Sequence, residues 1–190
     1  MKTKCLNIII ILLLSLVTLK AQTYQKGDVI GNFTIGLGNA LYTGLGYTSA
    51  VPPIAISGEY IVADHLIDKG SIGVGGLLGY ASVTYSYAYY TFSESWKYSS
   101  IVIGPGGAFH YPFTDKLEGY AGVLLCFNIV SGTYTSNDYG YVGTTGGAAS
   151  NFIFVGFFGA RYYFTNKVAV LAQLGSGFAY FNIGLTVKLK

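Results

Sequence analysis

The chain has 190 residues, enough for one domain, and carries a formal charge of +3. It is 52% hydrophobic and only 10% charged, whereas soluble domains are usually about 25% charged. So few charges exclude an ordinary water-soluble surface, and the heavy use of glycine, tyrosine and phenylalanine suits a protein whose exterior meets hydrocarbon.

The first 22 residues are predicted to be a secretory signal peptide. Lys2 and Lys4 form a positively charged start, and the apolar run from Ile8 to Val17 follows. This run is shorter than the roughly 20 residues that a transmembrane helix needs. Cleavage is expected either after Ala21 or after Gln22.

The mature domain, residues 23–190, is predicted to be electrically neutral. Cleavage removes three of the eleven basic residues and leaves eight against eight acidic ones. Neutrality gives no support for binding to nucleic acid.

Cys5 leaves with the signal peptide, so Cys126 has no intramolecular partner for a disulfide. Because Cys126 lies in an apolar stretch without a nearby histidine, it is predicted to be a buried, inert thiol.

The mature chain is predicted to be all-β, an eight-stranded antiparallel up-and-down transmembrane β-barrel. No run of 18 apolar residues follows the signal peptide, and without spanning helices only a closed barrel satisfies every backbone polar group in hydrocarbon. Strand-favouring residues and alternating polarity indicate the strands. The predicted strands are 28–38, 53–62, 71–85, 98–111, 118–131, 149–164, 168–175 and 180–190.

The predicted connections alternate between long and short. Residues 39–52, 86–97 and 132–148 are long and rich in Gly, Ser, Thr and Tyr. Residues 63–70, 112–117 and 165–167 are shorter and carry charges. Long loops at one rim and short turns at the other are typical of outer-membrane barrels, with the short turns in the periplasm.

Two charged residues, Glu59 and Arg161, lie inside predicted strands, whereas most of the others lie in connections or at strand ends. Each shares a strand face with small or polar residues, so both are predicted to point into the lumen. On the lipid face, an arginine at mid-bilayer would cost about 2–4 kcal/mol. Their strands face each other across an eight-stranded barrel, and a buried charge needs a partner, so we expect Glu59 and Arg161 to form a lumen charge pair.

Aromatic residues gather near the predicted strand ends. One group surrounds the short turns: Tyr60, Tyr111, Phe113, Tyr162, Tyr163 and Phe164. Another surrounds a long loop: Tyr85, Tyr87, Tyr89, Tyr90, Trp96 and Tyr98. Because amphipathic rings prefer membrane interfaces, these groups are predicted to be two aromatic girdles.

The final strand alternates clearly between an apolar and a polar face. Phe181, Ile183 and Leu185 share one face, and Asn182 and Thr186 share the other. Alternation alone also fits a soluble sandwich, so the scarcity of charge decides that the apolar face meets lipid.

The last third of the chain carries a family resemblance. Gly156 to Lys167 reads GFFGARYYFTNK, Val168 to Leu174 reads VAVLAQL, and Phe181 to Val187 reads FNIGLTV. These segments resemble the last three strands of small outer-membrane β-barrel proteins of Gram-negative bacteria, the OmpA/OmpX-like or porin-family group. The resemblance implies an eight-stranded barrel in the cell outer membrane, inserted by the outer-membrane assembly machinery.

No catalytic, cofactor-binding or metal-binding constellation is expected. The two histidines, His65 and His110, fall near short turns and are predicted to be solvated or capping, with no serine or other nucleophile fixed beside them. Metal ligands do not occur at any usual spacing. The chain is therefore not expected to be an enzyme.

Three functions remain open from the sequence. The leading one is a structural or surface-interaction role, in which extracellular loops meet protein or carbohydrate. A second is a narrow porin-like channel for small solutes, although eight strands enclose no continuous pore. A third is a secreted, lipocalin-like binder of apolar ligands, which would need a greasy lumen and a charged exterior.

Overall fold

The computed structural model describes residues 24–42, 46, 49–90, 92–136, 142–145 and 150–190, so the predicted signal peptide lies outside the described residues. Nine strands occur in these ranges. They are β1 (Val29–Asn39), β2 (Ser49–Leu66), β3 (Gly70–Tyr89), β4 (Phe92–Pro112), β5 (Leu117–Ser136), β6 (Val142–Thr145), β7 (Asn151–Tyr163), β8 (Val168–Gly175) and β9 (Ala179–Lys188). Within the described ranges, no helix is long and apolar enough to cross a membrane.

Eight of these strands close into an antiparallel barrel. Strands β1 to β5 pair in chain order, β5 then pairs with β7, and β7, β8 and β9 continue in order. The ring closes between β1 and β9, where Ile30 lies opposite Lys188. The short β6 pairs with residues 132–135 at the end of β5. The predicted eight-stranded all-β barrel is therefore confirmed.

The strands at one rim are longer than predicted. β3 ends at Tyr89 and β4 begins at Phe92, so the predicted loop 86–97 is mostly a paired hairpin, and its assignment as a loop was wrong. β2 starts at Ser49 and β5 runs to Ser136, which shortens two further predicted loops. Ser, Thr and Tyr at these positions pair well across strands, although their polarity indicated loops.

The barrel wall is apolar outside and small or polar inside. On β9, Ile183 and Leu185 are exposed, whereas Asn182 and Thr186 are buried. Exposed apolar side chains form a belt on every strand of the ring, including Phe33, Ile56, Leu78, Ile103, Leu125, Phe158, Val170 and Leu185. A belt of this kind fits a hydrocarbon surrounding and confirms the predicted direction of the apolar faces.

The apolar belt ends at the same level on three neighbouring strands. Its last outward residues, Tyr80, Ile101 and Ile129, are cross-strand partners. The next residues on this face, Ser82, Ser99 and Ser131, are also partners and form a row that we call the serine row, in which Ser82 is itself covered at 2% exposure. Beyond it β3, β4 and β5 continue as a sheet that we call the extension, formed by residues 83–89, 92–98 and 132–136, and β6 pairs along its β5 edge. The serine row therefore marks where the outward face changes from apolar to hydroxyl-bearing residues on this side of the barrel.

Two glycines let β4 lie unusually close to β5. A Cβ added at Gly104 would lie 2.2 Å from the carbonyl oxygen of Leu125, and one at Gly106 would lie 2.2 Å from that of Val123. No side chain fits such a gap, so both positions require glycine.

Candidate functional site

Arg161 lies in the lumen, in the half next to the short-turn rim. It is an inward residue of β7 and is 1% exposed. Its Nη2 donates to Glu59 Oε1, 3.0 Å away on β2, across the barrel. The structure thus brings together the two residues that the sequence singles out.

A second carboxylate, Glu118, binds the same guanidinium. Glu118 is the cross-strand partner of Arg161 on β5, and its Oε1 accepts from Arg161 Nη1 at 2.9 Å. Its side chain is buried in the lumen. Sequence reasoning placed Glu118 at a strand end and did not identify it. Alternation along β5, with Tyr120, Leu124 and Cys126 also inward, was the signal that could have found it.

His110 completes the cluster, so the prediction that it is solvated or capping was wrong. It is fully buried on β4, with Nε2 2.9 Å from Glu59 Oε2 and Nδ1 2.7 Å from Glu118 Oε1. His65, by contrast, is exposed near the end of β2, with its Nδ1 3.4 Å from Asp64 Oδ1. We call Glu59, His110, Glu118 and Arg161 the lumen cluster.

The lumen cluster sets two carboxylates against two basic groups. His110 Nδ1 lies 2.7 Å from Glu118 Oε1, His110 Nε2 lies 2.9 Å from Glu59 Oε2, and Arg161 Nη1 lies 3.1 Å from the same Nδ1. Two carboxylates beside the imidazole favour its protonated form. With His110 protonated, the two positive and two negative groups balance inside the barrel.

Tyr24 covers the lumen cluster from the short-turn rim. Its ring meets the His110 ring edge-on, with centroids 5.2 Å apart, and its hydroxyl contacts the hydroxyl of Tyr163. Arg161 Nη1 donates to the Tyr24 hydroxyl at 3.4 Å. Burial raises the pKa of the Tyr24 phenol well above its usual value, with Arg161 opposing the rise. Tyr24 therefore acts as a neutral lid on the cluster.

The chain around Tyr24 is fastened to the barrel rim. The Gly27 amide donates to the Ile61 carbonyl and the Ile61 amide donates to the Asp28 carbonyl, both at 2.9 Å. Lys188 Nζ lies 2.5 Å from the Asp28 carboxylate. Residues 24–28 thus close the short-turn rim of the lumen.

The aromatic residues at this rim divide between two surfaces. Tyr60, Phe113, Tyr162 and Phe164 are exposed around the rim, which fits the predicted girdle. Tyr163 is 2% exposed and donates to Glu118 Oε2 at 3.2 Å, so its assignment to the girdle was wrong. Its inward position follows from strand alternation after Arg161.

The other half of the lumen is filled by apolar side chains. A buried cluster joins residues from six strands and the β8–β9 turn: Ala55, Ala81, Val102, Leu124, Cys126, Val155, Phe178 and Ala179. Phe178 extends from the turn over Gly79, where an added Cβ would lie 2.6 Å from the Phe178 ring. The predicted burial of Cys126 is confirmed. We call this cluster the apolar plug.

A small cavity separates the lumen cluster from the apolar plug. Its volume is about 50 Å³, and its lining includes Glu59, Arg161, Gln173 and Phe178. Packed side chains thus fill most of the lumen on both sides of it. The arrangement is suited to holding the barrel together and excluding solutes. In the part of the chain that the structure describes, no group of three His, Cys, Asp or Glu side chains is arranged to hold a metal ion.

The extension has two chemically different faces. The face that continues the lumen wall carries Tyr85, Tyr87, Glu94, Trp96, Tyr98 and Tyr134. The opposite face carries Thr84, Ser86, Ser93, Ser95, Lys97, Thr133 and Thr135. Tyr85, Tyr87, Trp96 and Tyr98 therefore lie beyond the serine row on the inner side, and their assignment to a lipid-facing girdle was wrong. The alternation holds, but the pairing continues past the serine row.

One solved structure supports the fold. No protein-family model matches this chain, and no curated protein matches it. A solved structure described as a de novo designed transmembrane β-barrel matches with a TM-score of 0.51 and 14% identity, over 88% of this chain and 99% of its own. A solved structure of Ail, the attachment invasion locus protein of Yersinia pestis, in complex with the heparin analogue sucrose octasulfate, matches with a TM-score of 0.47 and 11% identity. The match covers 86% of this chain and 96% of the Ail chain. The designed barrel shows that this fold is that of a transmembrane β-barrel.

Proposed function

We propose that this protein is an integral outer-membrane β-barrel with a surface-interaction role, in which the extension meets partners outside the cell. The short-turn rim lies in the periplasm, and residues 24–28 close it. Outer-membrane lipid covers the apolar belt, and the outer-membrane assembly machinery inserts the barrel. The candidate partners are an extracellular protein or a carbohydrate, and not nucleic acid.

The observation that carries this proposal is the change of surface chemistry at the serine row. Below the row the outward face is apolar, and above it the same face is made of Ser, Thr and Lys while pairing continues for several residues. A hydroxyl-rich outer face requires water, so the extension stands clear of the hydrocarbon zone. A paired sheet holds its side chains in fixed positions, which suits recognition better than an irregular loop.

Both alternative functions fit the lumen and the wall less well. A channel needs a continuous path, whereas the lumen contains a charge-balanced cluster, an apolar plug and a cavity of about 50 Å³. We therefore expect that a planar bilayer containing the purified barrel shows no stable current steps.

A lipocalin-like soluble binder needs a charged exterior, and the exposed apolar belt is the opposite of that. We also propose that the protein is not an enzyme, since His110 is engaged by two carboxylates.

The orientation can be tested with a matched pair of cysteines. In a Cys126→Ser background, Thr133→Cys lies on the extension and Asp115→Cys lies in the short β4–β5 turn. A membrane-impermeant maleimide added to intact cells should label position 133 and leave position 115 unlabelled until the cells are lysed. Labelling of position 115 alone would reverse the orientation. Recovery of the protein outside the outer-membrane fraction would reject the proposal altogether.

A further inference from the structure

The inner face of the extension forms a ring-lined wall above the mouth of the barrel. Tyr85, Trp96 and Tyr134 are cross-strand partners in one row. The Trp96 and Tyr134 ring centroids are 4.5 Å apart with the planes tilted by 43°, so the two rings pack into one surface. Tyr98 continues this surface toward the barrel, with its ring centroid 6.4 Å from that of Tyr85. Trp96 and Tyr87 are nonetheless exposed, at 36% and 60%.

The wall carries a hydrogen-bonding group but no cation among its described residues. Glu94 lies beside Trp96 on the same face, and its Oε1 accepts from the Tyr134 hydroxyl at 2.5 Å. Lys97 lies on the opposite face of the sheet. A sulfated or otherwise anionic ligand would therefore meet a carboxylate without a compensating positive charge. An uncharged ligand meets no such penalty.

Lipid does not explain these rings, because they point away from the apolar belt and lie beyond the serine row. Barrel packing does not explain the exposure of Trp96 and Tyr87 either, because the apolar plug lies below them. Flat rings with a negative face attract the C–H groups of a sugar ring, and neighbouring hydroxyl and carboxylate groups bind sugar hydroxyls. Trp and Tyr side chains also lose little conformational entropy when they bind.

We propose that the aromatic wall formed by Tyr85, Trp96, Tyr98 and Tyr134, with Glu94 at its edge, is a binding site for an uncharged glycan. This inference rests on the proposed surface-interaction role and names its partner class. Sugar rings stack on Trp96 and its neighbours, and the Glu94 carboxylate accepts from sugar hydroxyls. Among the described residues of this face, the Glu94 carboxylate disfavours an anionic chain.

Trp96 makes the site directly observable, because it is the single tryptophan of the chain. The purified barrel in lipid nanodiscs is titrated with a panel of neutral hexasaccharides built from glucose, galactose, mannose and N-acetylglucosamine. At least one should change the Trp96 emission in a saturable way below about 10 mM, the range of weak specific binding. A heparin-derived hexasaccharide, which is anionic, should not.

Matched variants separate the aromatic wall from the rest of the extension. Tyr134→Ala and Tyr85→Ala should weaken binding of the responding sugar at least about tenfold, since aromatic anchors dominate such sites. Thr133→Ala and Thr84→Ala, one residue away on the opposite face, should change it less than about twofold. Glu94→Gln should weaken binding without abolishing it. Each variant is first checked for the heat-modifiable migration of a folded barrel.

The outcomes separate failure of this inference from failure of the proposed function. If no neutral sugar responds, if the heparin fragment alone responds, or if both pairs of variants behave alike, the glycan site is overturned. Cell-surface labelling at position 133 would still support the outer-membrane role in each of those cases. If position 133 is not accessible from outside, the role itself fails, whatever the sugar titration shows.

Discussion

Removing the Arg161 guanidinium should destabilise the barrel by about 3–5 kcal/mol, the usual cost of breaking a buried ion pair from one side. The variant Arg161→Met keeps an apolar stem of similar length and deletes the cation. His110 is then the one cation left beside Glu59 and Glu118 in the lumen cluster, which passes from neutral to one net negative charge. Water relieves little of this, because the two carboxylate side chains are 12% and 3% exposed.

Neutralising a carboxylate in the same barrel should restore part of the loss. In Arg161→Met/Glu118→Gln, Glu59 remains opposite His110 and the cluster is balanced again, so we expect about 2 kcal/mol to be recovered. Arg161→Met/Glu59→Gln should recover less. The Glu59 carboxylate is the more exposed of the two and accepts from Asn32 Nδ2 at 3.2 Å, so leaving it without Arg161 costs less in the first place. The matched control Lys97→Met removes an exposed cation from the extension and should cost under about 0.5 kcal/mol.

The measurement is reversible urea unfolding in lipid vesicles, read by the fraction of protein that migrates as folded on an unheated gel. A double-mutant cycle then gives the coupling between Arg161 and each carboxylate. If the losses of Arg161→Met and Glu118→Gln simply add within about 0.5 kcal/mol, the lumen cluster is not an energetic unit and the reasoning is refuted.

Three further predictions use the same assay or a simple label. Leu125→Arg, in the middle of the apolar belt, should lower the free energy of unfolding by about 2–4 kcal/mol. Thr133→Arg, on the extension, should lower it by under about 1 kcal/mol. Equal losses would contradict the position assigned to the serine row. Tyr24→Ala should cost about 3 kcal/mol by uncovering the lumen cluster, and an unchanged urea midpoint would show that residues 24–28 do not act as a lid. Cys126 should resist a small maleimide in the folded barrel and react fully after boiling, so rapid labelling at room temperature would contradict the packing of the apolar plug.

The fold was accessible from the sequence because side-chain alternation in a strand is local. Phe181 to Val187 shows its two faces within seven residues, and the low charge of the whole chain decides which face meets lipid. The ends of the strands were less accessible. In residues 86–97, hydroxyl groups indicate a loop and β-propensity indicates a strand, and pairing with β5 resolves the conflict in favour of the strand.

The candidate sites were accessible only in part. Glu59 and Arg161 stood out because each is a charge inside an otherwise uncharged strand. His110 and Glu118 did not, since both lie near a turn where a charged group is ordinarily solvated. The role of Tyr24 had no signal in the sequence, because residues 24–28 are fixed by rim contacts with Ile61 and Lys188.

The sequence by itself determined that this chain is an inside-out barrel, because alternating polarity and scarce charge are properties of each strand and of the composition. The tertiary structure decided which side chains meet. Barrel closure and strand register bring four ionisable residues from β2, β4, β5 and β7 to one level of the lumen, and they align Tyr85, Trp96 and Tyr134 in one row. These contacts join residues up to about a hundred positions apart in the chain, and their geometry depends on the shear of the whole ring, which no single strand encodes.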